Sequence, residues 1–422
     1  MRLGDALAAV SSRDWTNDTD QFLKALPNDW VRDSLVATGK QSIRNRKLPG
    51  HVVSWLVVGM SLFRTESIMA VMQKFDLLAL VKTKAGSQPQ EAPSSAAVVQ
   101  ARGRLGYQPL EDLFRRSASR WAKKNNTTNE WQTLQPYYID EATITLAESD
   151  KNAETFGRGG TTGDEKAPPQ VNMVALVSLH SDLLADAAVV LANQSKAELT
   201  SEMIDRLGPK TVLLADPQYI STERLIEIHH RGEDRHWISL ANDAMAHTTK
   251  NELSPTDRII ELKLEVATMA SDAPAQTATA ALTELTAEVM EQNFAAAAEA
   301  PLDAPADVPA QAEPVETAPA AASASTVTLR ELTVFDGKDT TRIWTSLVDA
   351  EKYSATEIAG LFRTQQEKLS EQELSGEKKP AELARSKKPD HALQEIWGLA
   401  VAYNLTKLIK PRAGKIRKKK EG

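Results

Sequence analysis

Apolar and polar positions divide the chain into unlike stretches. Up to about residue 125 the apolar residues recur at helical spacing. Leu23, Leu26, Trp30, Leu35 and Val36 mark one packed helix, and His51 to Phe63 mark a buried one entered through Leu48-Pro49. Ser94-Ser95 offers an N-cap to a helix over 96–105 that stops at Gly106, and a second helix over 109–121 follows a very short turn. From residue 137 the pattern becomes one of strands, over 137–146, 171–179, 183–191 and 211–216. The capping box Ser195-x-x-Glu198 opens a helix before the last of these. A helix over 222–231 and strands over 235–240 and 258–266 come next. Residues 150–169 are polar and glycine-rich and read as a loop. Residues 267–326 are dominated by Ala, Thr, Pro and Glu; 280–300 has the spacing of a helix and 301–325 reads as a disordered linker. Strands resume at 327–334 and 342–348. The capping box Ser354-x-x-Glu357 then opens a helix with Ile358, Leu361 and Phe362 on one face. A closing helix over 397–409 precedes a basic tail, 410–420.

Two acids stand out against this pattern. Asp140 lies in the middle of the first strand, and Asp216 ends the fourth. A carboxylate on a buried strand is costly unless it is paired or holds a metal; on an edge strand it simply faces water. Three strands, a helix and a fourth strand ending in Asp is the order of a ribonuclease H-like core. There the first and fourth strands lie side by side and bring the two acids together. Adjacent carboxylates are hard oxygen ligands suited to Mg²⁺, with Mn²⁺ as a substitute.

The stretches around these acids resemble the insertion sequence 4 family of DDE transposases, the group of the transposon five and transposon ten enzymes. Asp140-Glu141-Ala142-Thr143-Ile144 through Phe156-Gly157-Arg158-Gly159-Gly160 and Pro169-Gln170-Val171 are similar to the family's first-aspartate region. Leu213-Leu214-Ala215-Asp216-Pro217-Gln218-Tyr219-Ile220-Ser221 is similar to its second. Arg385-Ser386-Lys387-Lys388-Pro389, Gln394-Glu395-Ile396-Trp397-Gly398-Leu399 and Ala402-Tyr403-Asn404-Leu405 are similar to its C-terminal signature. Arg44-Asn45-Arg46-Lys47-Leu48-Pro49 and Gln100-Ala101-Arg102-Gly103-Arg104-Leu105-Gly106 fit its N-terminal third. The resemblance spans most of the chain outside about 266–326. It implies metal-dependent cutting and joining of double-stranded DNA at element ends, by a homodimer on DNA.

The third acid breaks the pattern. The family helix reads Tyr-x2-Arg-x3-Glu-x6-Lys. With Phe362 in the Tyr position, Gln365, Leu369 and Gly376 occupy the other three. Leu369 shares a helical face with Phe362 and reads as core. Glu367 restores an Arg-x3-Glu spacing with Arg363, Glu373 lies one turn beyond Leu369, and Glu371 is close in sequence. Glu141-Ala142 also stands where the family usually has Gly-Thr, and Pro217-Gln218 where it usually has Arg-Gly. A second expectation therefore stands beside the enzyme: an inactive, DNA-binding or dimerising relative acting as an inhibitor or relic. A third is a ribonuclease H-like nuclease working with two acids.

Charge changes the choice of partner. The net charge of −7 argues against nucleic acid, but residues 1–130 hold 19 Lys and Arg against 12 Asp and Glu, and 385–420 hold 11 against 2. Residues 271–329 hold 9 acids and no base. Basic ends are an electrostatic footprint for DNA backbone, although solvated faces look alike. Arg102, Arg104, Arg115 and Arg116 read as exposed on two helices across a tight turn, a DNA-binding helix-turn-helix or a plain helical hairpin. Arg158 reads as a backbone contact or part of a connecting loop, and Lys387 and Lys388 as further DNA contacts. Trp237 suits either a core strand or stacking on a flipped base. No cysteine is present, so thiolate metal sites and disulfides are excluded. No apolar run is long enough to span a bilayer, and a prokaryotic cytoplasmic, nucleoid-associated protein is expected. The organisation expected is a helical DNA-binding domain over 1–130, the first part of the core over 131–240, an insertion over 241–350 holding the acidic linker, and the last core helices with the basic tail over 351–422.

Overall fold

The computed structural model describes residues 2–41, 48–80, 93–125, 130–159, 166–232, 234–264, 325–336, 339–370 and 382–409. The N-terminal part is helical: α1 (Leu3–Ala9), α2 (Thr19–Ala25), α3 (Asn28–Ala37), α4 (Gly50–Leu62), α5 (Ile68–Lys74), α6 (Ser95–Leu105) and α7 (Gln108–Asn125). Alternation then begins with β1 (Gln135–Leu146), α8 (Asp150–Phe156), β2 (Gln170–Ser178), β3 (Leu184–Val190), α9 (Lys196–Asp205), β4 (Thr211–Ala215), α10 (Thr222–Arg231) and β5 (Arg235–Leu240). After these come β6 (His247–Ser254), β7 (Asp257–Leu264), β8 (Ser325–Asp336), β9 (Asp339–Thr345), α11 (Ala355–Ser370), β10 (Glu382–Ala384) and α12 (Pro389–Leu408).

The strands form one mixed sheet in the order β3-β2-β1-β4-β5-β9-β8-β7-β6, with β10 also pairing with β1. β1 runs antiparallel to β2 and parallel to β4. The first and fourth strands are thus neighbours, as the order of elements suggests. β6 to β9 extend the same sheet beyond β5. The β6 strand is largely exposed and has no apolar alternation, which is why its sequence gives no strand signal.

Helices cover both faces. On one face the N-terminal helices, α11 and α12 enclose the larger core, which receives Tyr138, Ala142 and Ile144 of β1 and Val212 and Leu214 of β4. On the other, α9 and α10 pack over Ile139, Leu213, Trp237 and Trp344. Trp237 is a core residue. Period-two alternation along β1 and β4 divides their side chains between the two cores.

α12 is buried from His391 to Leu405, a helix enclosed on all sides. It begins at Pro389, ahead of the 397 start suggested by its apolar run, because Pro389 enters the first turn behind the extended Lys388. Its closest neighbour is α4: a Cβ at Gly398 would meet Val57 Cγ1 at 2.8 Å and the Val57 carbonyl oxygen at 3.3 Å. Only glycine permits that approach.

Ser94, Ser195 and Ser354 accept hydrogen bonds from Ala97, Glu198 and Glu357 amides, fixing the starts of α6, α9 and α11. The 150–169 stretch is not simply a loop. Ser149 caps α8 through the Asn152 amide, and Gly157 ends it at φ 84°. Short polar helices of this kind give no apolar period, and the Ser149 cap is the sequence signal they carry. The expected helix over 280–300, the 301–325 linker and the 410–420 tail lie outside the described residues.

Candidate functional site

The site is assembled at one end of β1 and β4. Their parallel register pairs Gln135 with Thr211 and Tyr138 with Leu214. Carried two places further, it sets Asp140 level with Asp216, just past the end of β4. Alternation puts Asp140 on the same face as Tyr138 and Ala142, towards the larger core. Tyr219, buried nearby, carries the trace of this convergence: burial raises its phenol, and the charges of Glu141, Asp140 and Asp216 push it further up. Glu141 points to the opposite face, where Lys196 Nζ approaches its Oε2 at 3.0 Å.

Asp140 is 1% exposed. The Leu3 amide donates to its Oδ2 at 2.6 Å, its own neighbour Glu141 donates to Oδ1 at 2.8 Å, and Arg2 Nε lies 3.6 Å from Oδ1. Burial raises the carboxyl above its ordinary range, opposed by the two amides and Arg2. Asp216 is half-buried. It accepts from the Gln218 amide at 2.9 Å and Gln218 Nε2 at 3.1 Å in a turn that leaves β4.

A cavity of about 400 Å³ reaches Asp140. Glu367 and Lys368 of α11, Asp182 of the β2–β3 turn and Lys407 of α12 share its lining with Leu3 and Ala6 of α1. Lys368 and Lys407 both approach the Asp182 carboxylate. Glu367 is therefore brought to the same cavity as Asp140, on an exposed turn of α11. Gln365, in the position of the family Arg, is buried and donates to the Leu214 carbonyl at 3.3 Å. Leu369 packs against the larger core, as its spacing suggests. Glu371 and Glu373 lie outside the described residues.

The donor chemistry suits a hard divalent cation: Mg²⁺ is characteristically held through one or two carboxylates plus substrate phosphates. Among the described residues no three His, Asp or Glu side chains gather as a metal-holding group. Asp140 and Asp216 are two carboxylates of the type such a cation uses, with Asp140 facing α1 rather than solvent.

The basic residues separate into two kinds. Arg102 corrects the expectation of an exposed contact. It is 6% exposed and donates to Gln394 Oε1 at 3.0 Å and to the His391 carbonyl and Glu395 Oε1 at 2.9 Å each. Helical position alone does not reveal a partner helix hundreds of residues away. Arg115 and Arg116 each pair with an acid one turn back, Glu111 and Asp112. Arg158 pairs with Glu148 and donates to the Ala167 carbonyl at 2.7 Å, which closes its own loop. Arg104, Lys387 and Lys388 are exposed. Because Arg102 ties α6 to the start of α12, Arg104 and Lys388 belong to neighbouring elements.

The C-terminal signature residues act as clamps. Glu395 accepts from the Arg385 amide at 2.7 Å and from Ser386 Oγ. Asn404 pairs with both backbone groups of Leu184 at 2.8 Å, anchoring α12 to β3. The missed contributors are Arg2 and Leu3. A backbone amide leaves no mark in a sequence, so only the position of α1 reveals it.

The family described as insertion element 4 transposase N-terminal matches residues 16–115. The transposase InsG for insertion sequence element IS4 of Escherichia coli (strain K12) is 27% identical over 417 residues, 96% of this chain and 80% of that protein. The chain is similar to insertion sequence 4 transposases over most of its length. The putative transposase InsZ of the same organism is 29% identical over 218 residues, 51% of this chain and 70% of InsZ. A piggyBac transposase synaptic complex with hairpin DNA superimposes on 96% of the chain, covering 74% of its own, at 9% identity and a TM-score of 0.34, too loose a match to carry weight. No described helix is long and apolar enough to cross a membrane.

Proposed function

We propose that this chain is a DNA transposase of the DDE type, with a ribonuclease H-like core in which Asp140 and Asp216 hold Mg²⁺, or Mn²⁺ in its place. The observation that carries this reading is the parallel pairing of β1 with β4, whose register sets the two acids level at one end of the sheet. When bound, the cation would supply Lewis-acid stabilisation, activating a water for phosphodiester hydrolysis and the freed 3′-hydroxyl for strand transfer, in which a target-strand oxygen leaves. The chain's own contribution is placement. β1 fixes Asp140 through main-chain pairing, a more rigid support than a loop, and Asp216 follows directly on the end of β4. Tyr138 and Tyr403 wall the cavity. Glu367, on its lining, is the candidate for the third carboxylate.

The helical region over 1–130, with Arg104, and the basic approach to α12, with Lys387 and Lys388, would hold double-stranded DNA by its phosphates, which position without reading sequence. Arg158 serves its loop in this account and Arg102 the α6–α12 junction. A homodimer on DNA, at element ends and target in a bacterial nucleoid, completes the proposal. The alternative is an inactive, DNA-binding relative. It is favoured by one observation, the core packing of Leu369 where the family has its glutamate.

The test is cleavage of DNA carrying the sequences that flank the gene, with Mg²⁺ or Mn²⁺. Cleavage by the natural chain that is lost in Asp216→Ala supports the enzyme. Specific binding of the flanking DNA without cleavage, under both ions and with α1 released as described below, would establish the inactive relative.

A further inference from the structure

α1 sits on the carboxylate that the cation would need. It has 7 residues, and Leu3, Ala6 and Leu7 are its buried face. A helix this short does not hold itself together in water, so packing and end contacts keep it in place. Its first amide, from Leu3, is one of the donors a helix leaves without an internal partner, and Asp140 Oδ2 accepts it at 2.6 Å. Arg2, immediately before it, adds its guanidinium 3.6 Å from Oδ1. Leu3 and Ala6 line the cavity beside Asp140. The carboxylate is left 1% exposed in a cavity whose other lining residues include Glu367.

The connection behind α1 is partly exposed. Ser12 and Asp14 are exposed, whereas Trp15 is buried and stacks edge-on against Phe22, with ring centroids 5.6 Å apart. Trp15 also donates from Nε1 to the Val10 carbonyl at 2.7 Å. The chain is anchored at Trp15, and the contacts of the segment ahead of it include that hydrogen bond, the buried Val10, Arg13 over the Trp15 ring at 4.9 Å, the apolar face of α1 and the Asp140 contacts.

We infer that α1 is an autoinhibitory plug: Leu3 and Arg2 hold the Asp140 carboxylate shut, and α1 and a divalent cation are mutually exclusive occupants of it. This rests on the reading of Asp140 and Asp216 as metal-holding residues. A site open only in a minor population binds with its affinity reduced by that fraction. Releasing the plug therefore strengthens cation binding without touching the ligands.

The variant is Leu3→Pro in the full chain. Proline suits the first position of a helix, and Arg2 is already extended at φ −66° and ψ 156°. The substitution removes the donating N–H and places ring carbon against Asp140. Leu3→Ala is its control, because it trims the same side chain and keeps the amide. Two readouts run together. Mn²⁺ binding is followed by electron paramagnetic resonance. Ala6→Cys, unique in a chain without cysteine, reports opening through its rate of maleimide labelling.

The plug predicts Mn²⁺ binding about tenfold tighter in Leu3→Pro than in Leu3→Ala, the scale of one charge-assisted hydrogen bond. It also predicts faster labelling of Ala6→Cys when Mn²⁺ is added, an acceleration that Asp216→Ala abolishes. Equal Mn²⁺ affinity in the two variants, lost in Asp216→Ala, would overturn the plug and leave the metal site standing. No Mn²⁺ binding by any variant, with labelling indifferent to Mn²⁺, would overturn the metal reading and the plug with it.

Discussion

Arg102 of α6 and Glu395 of α12 form an ion pair of 2.9 Å, both almost wholly buried. The same guanidinium serves Gln394 and the His391 carbonyl, and Gln394 Nε2 returns bonds to the Arg102 and Gly106 carbonyls at 2.8 and 2.9 Å. Arg102→Ala leaves Glu395 buried without this partner and is expected to cost about 3–5 kcal/mol. Arg102→Lys should recover little of that, since one ammonium cannot reproduce the planar fork. Urea unfolding of the three proteins gives both values. A loss under about 1 kcal/mol for Arg102→Ala would mark an ordinary surface pair.

His391 lies at the same junction. Burial pushes its imidazole down to about 4, with Arg102 and Lys388 adding to the effect against Glu395. An imidazole depressed in the fold keeps its stabilising contribution above its unfolded pKa of about 6.5 and loses it as pH falls towards 4. Stability should therefore drop by about 2 kcal/mol from this group between pH 7 and pH 5. His391→Gln should flatten that part of the profile, measured by denaturant midpoints across the range.

Glu367 and Gln365 differ in what their neighbours allow. Gln365 is 2% exposed and tied to β4, whereas Glu367 is exposed and lines the Asp140 cavity. If Glu367 completes the site, Glu367→Gln should lower cation-dependent cleavage by more than about 100-fold, beyond the loss expected from an outer-shell partner. Its melting temperature should be unchanged. Undiminished cleavage would remove Glu367 and direct the search to Glu371 and Glu373.

Lys387 and Lys388 are exposed at the entry to α12. If each neutralises a phosphate, each alanine substitution should reduce the slope of log affinity against log salt by about 1, for any DNA sequence. Arg158→Ala should leave that slope unaltered, because its guanidinium is spent on Glu148 and Ala167. Filter binding over a salt series distinguishes these outcomes.

The strands that carry Asp140 and Asp216 were legible because β-branched runs and a capping box mark them within a few residues of their bounds. Their adjacency followed from element order. Leu369 was legible as core from its spacing with Phe362, whereas Trp237 on its strand suited a core or a stacking role and only the packing around it decides. The burial of Arg102 was not, since its partners Gln394 and Glu395 sit on a helix almost three hundred residues later. The cover over Asp140 was invisible for a different reason: its donor is a main-chain amide, common to every residue but proline. β6 escaped because an exposed strand needs no apolar alternation.

The central claim, that Asp140 and Asp216 jointly hold a cation, is tested most directly by replacing Mg²⁺ with Fe²⁺ and generating radicals with ascorbate and peroxide. Backbone cuts then report which residues lie against the metal. In the natural chain and in Leu3→Pro, the account predicts cuts around residues 140 and 216, stronger in Leu3→Pro. Both should vanish together in Asp140→Ala and in Asp216→Ala. Cuts elsewhere, or cuts at one position that survive loss of the other aspartate, would contradict it.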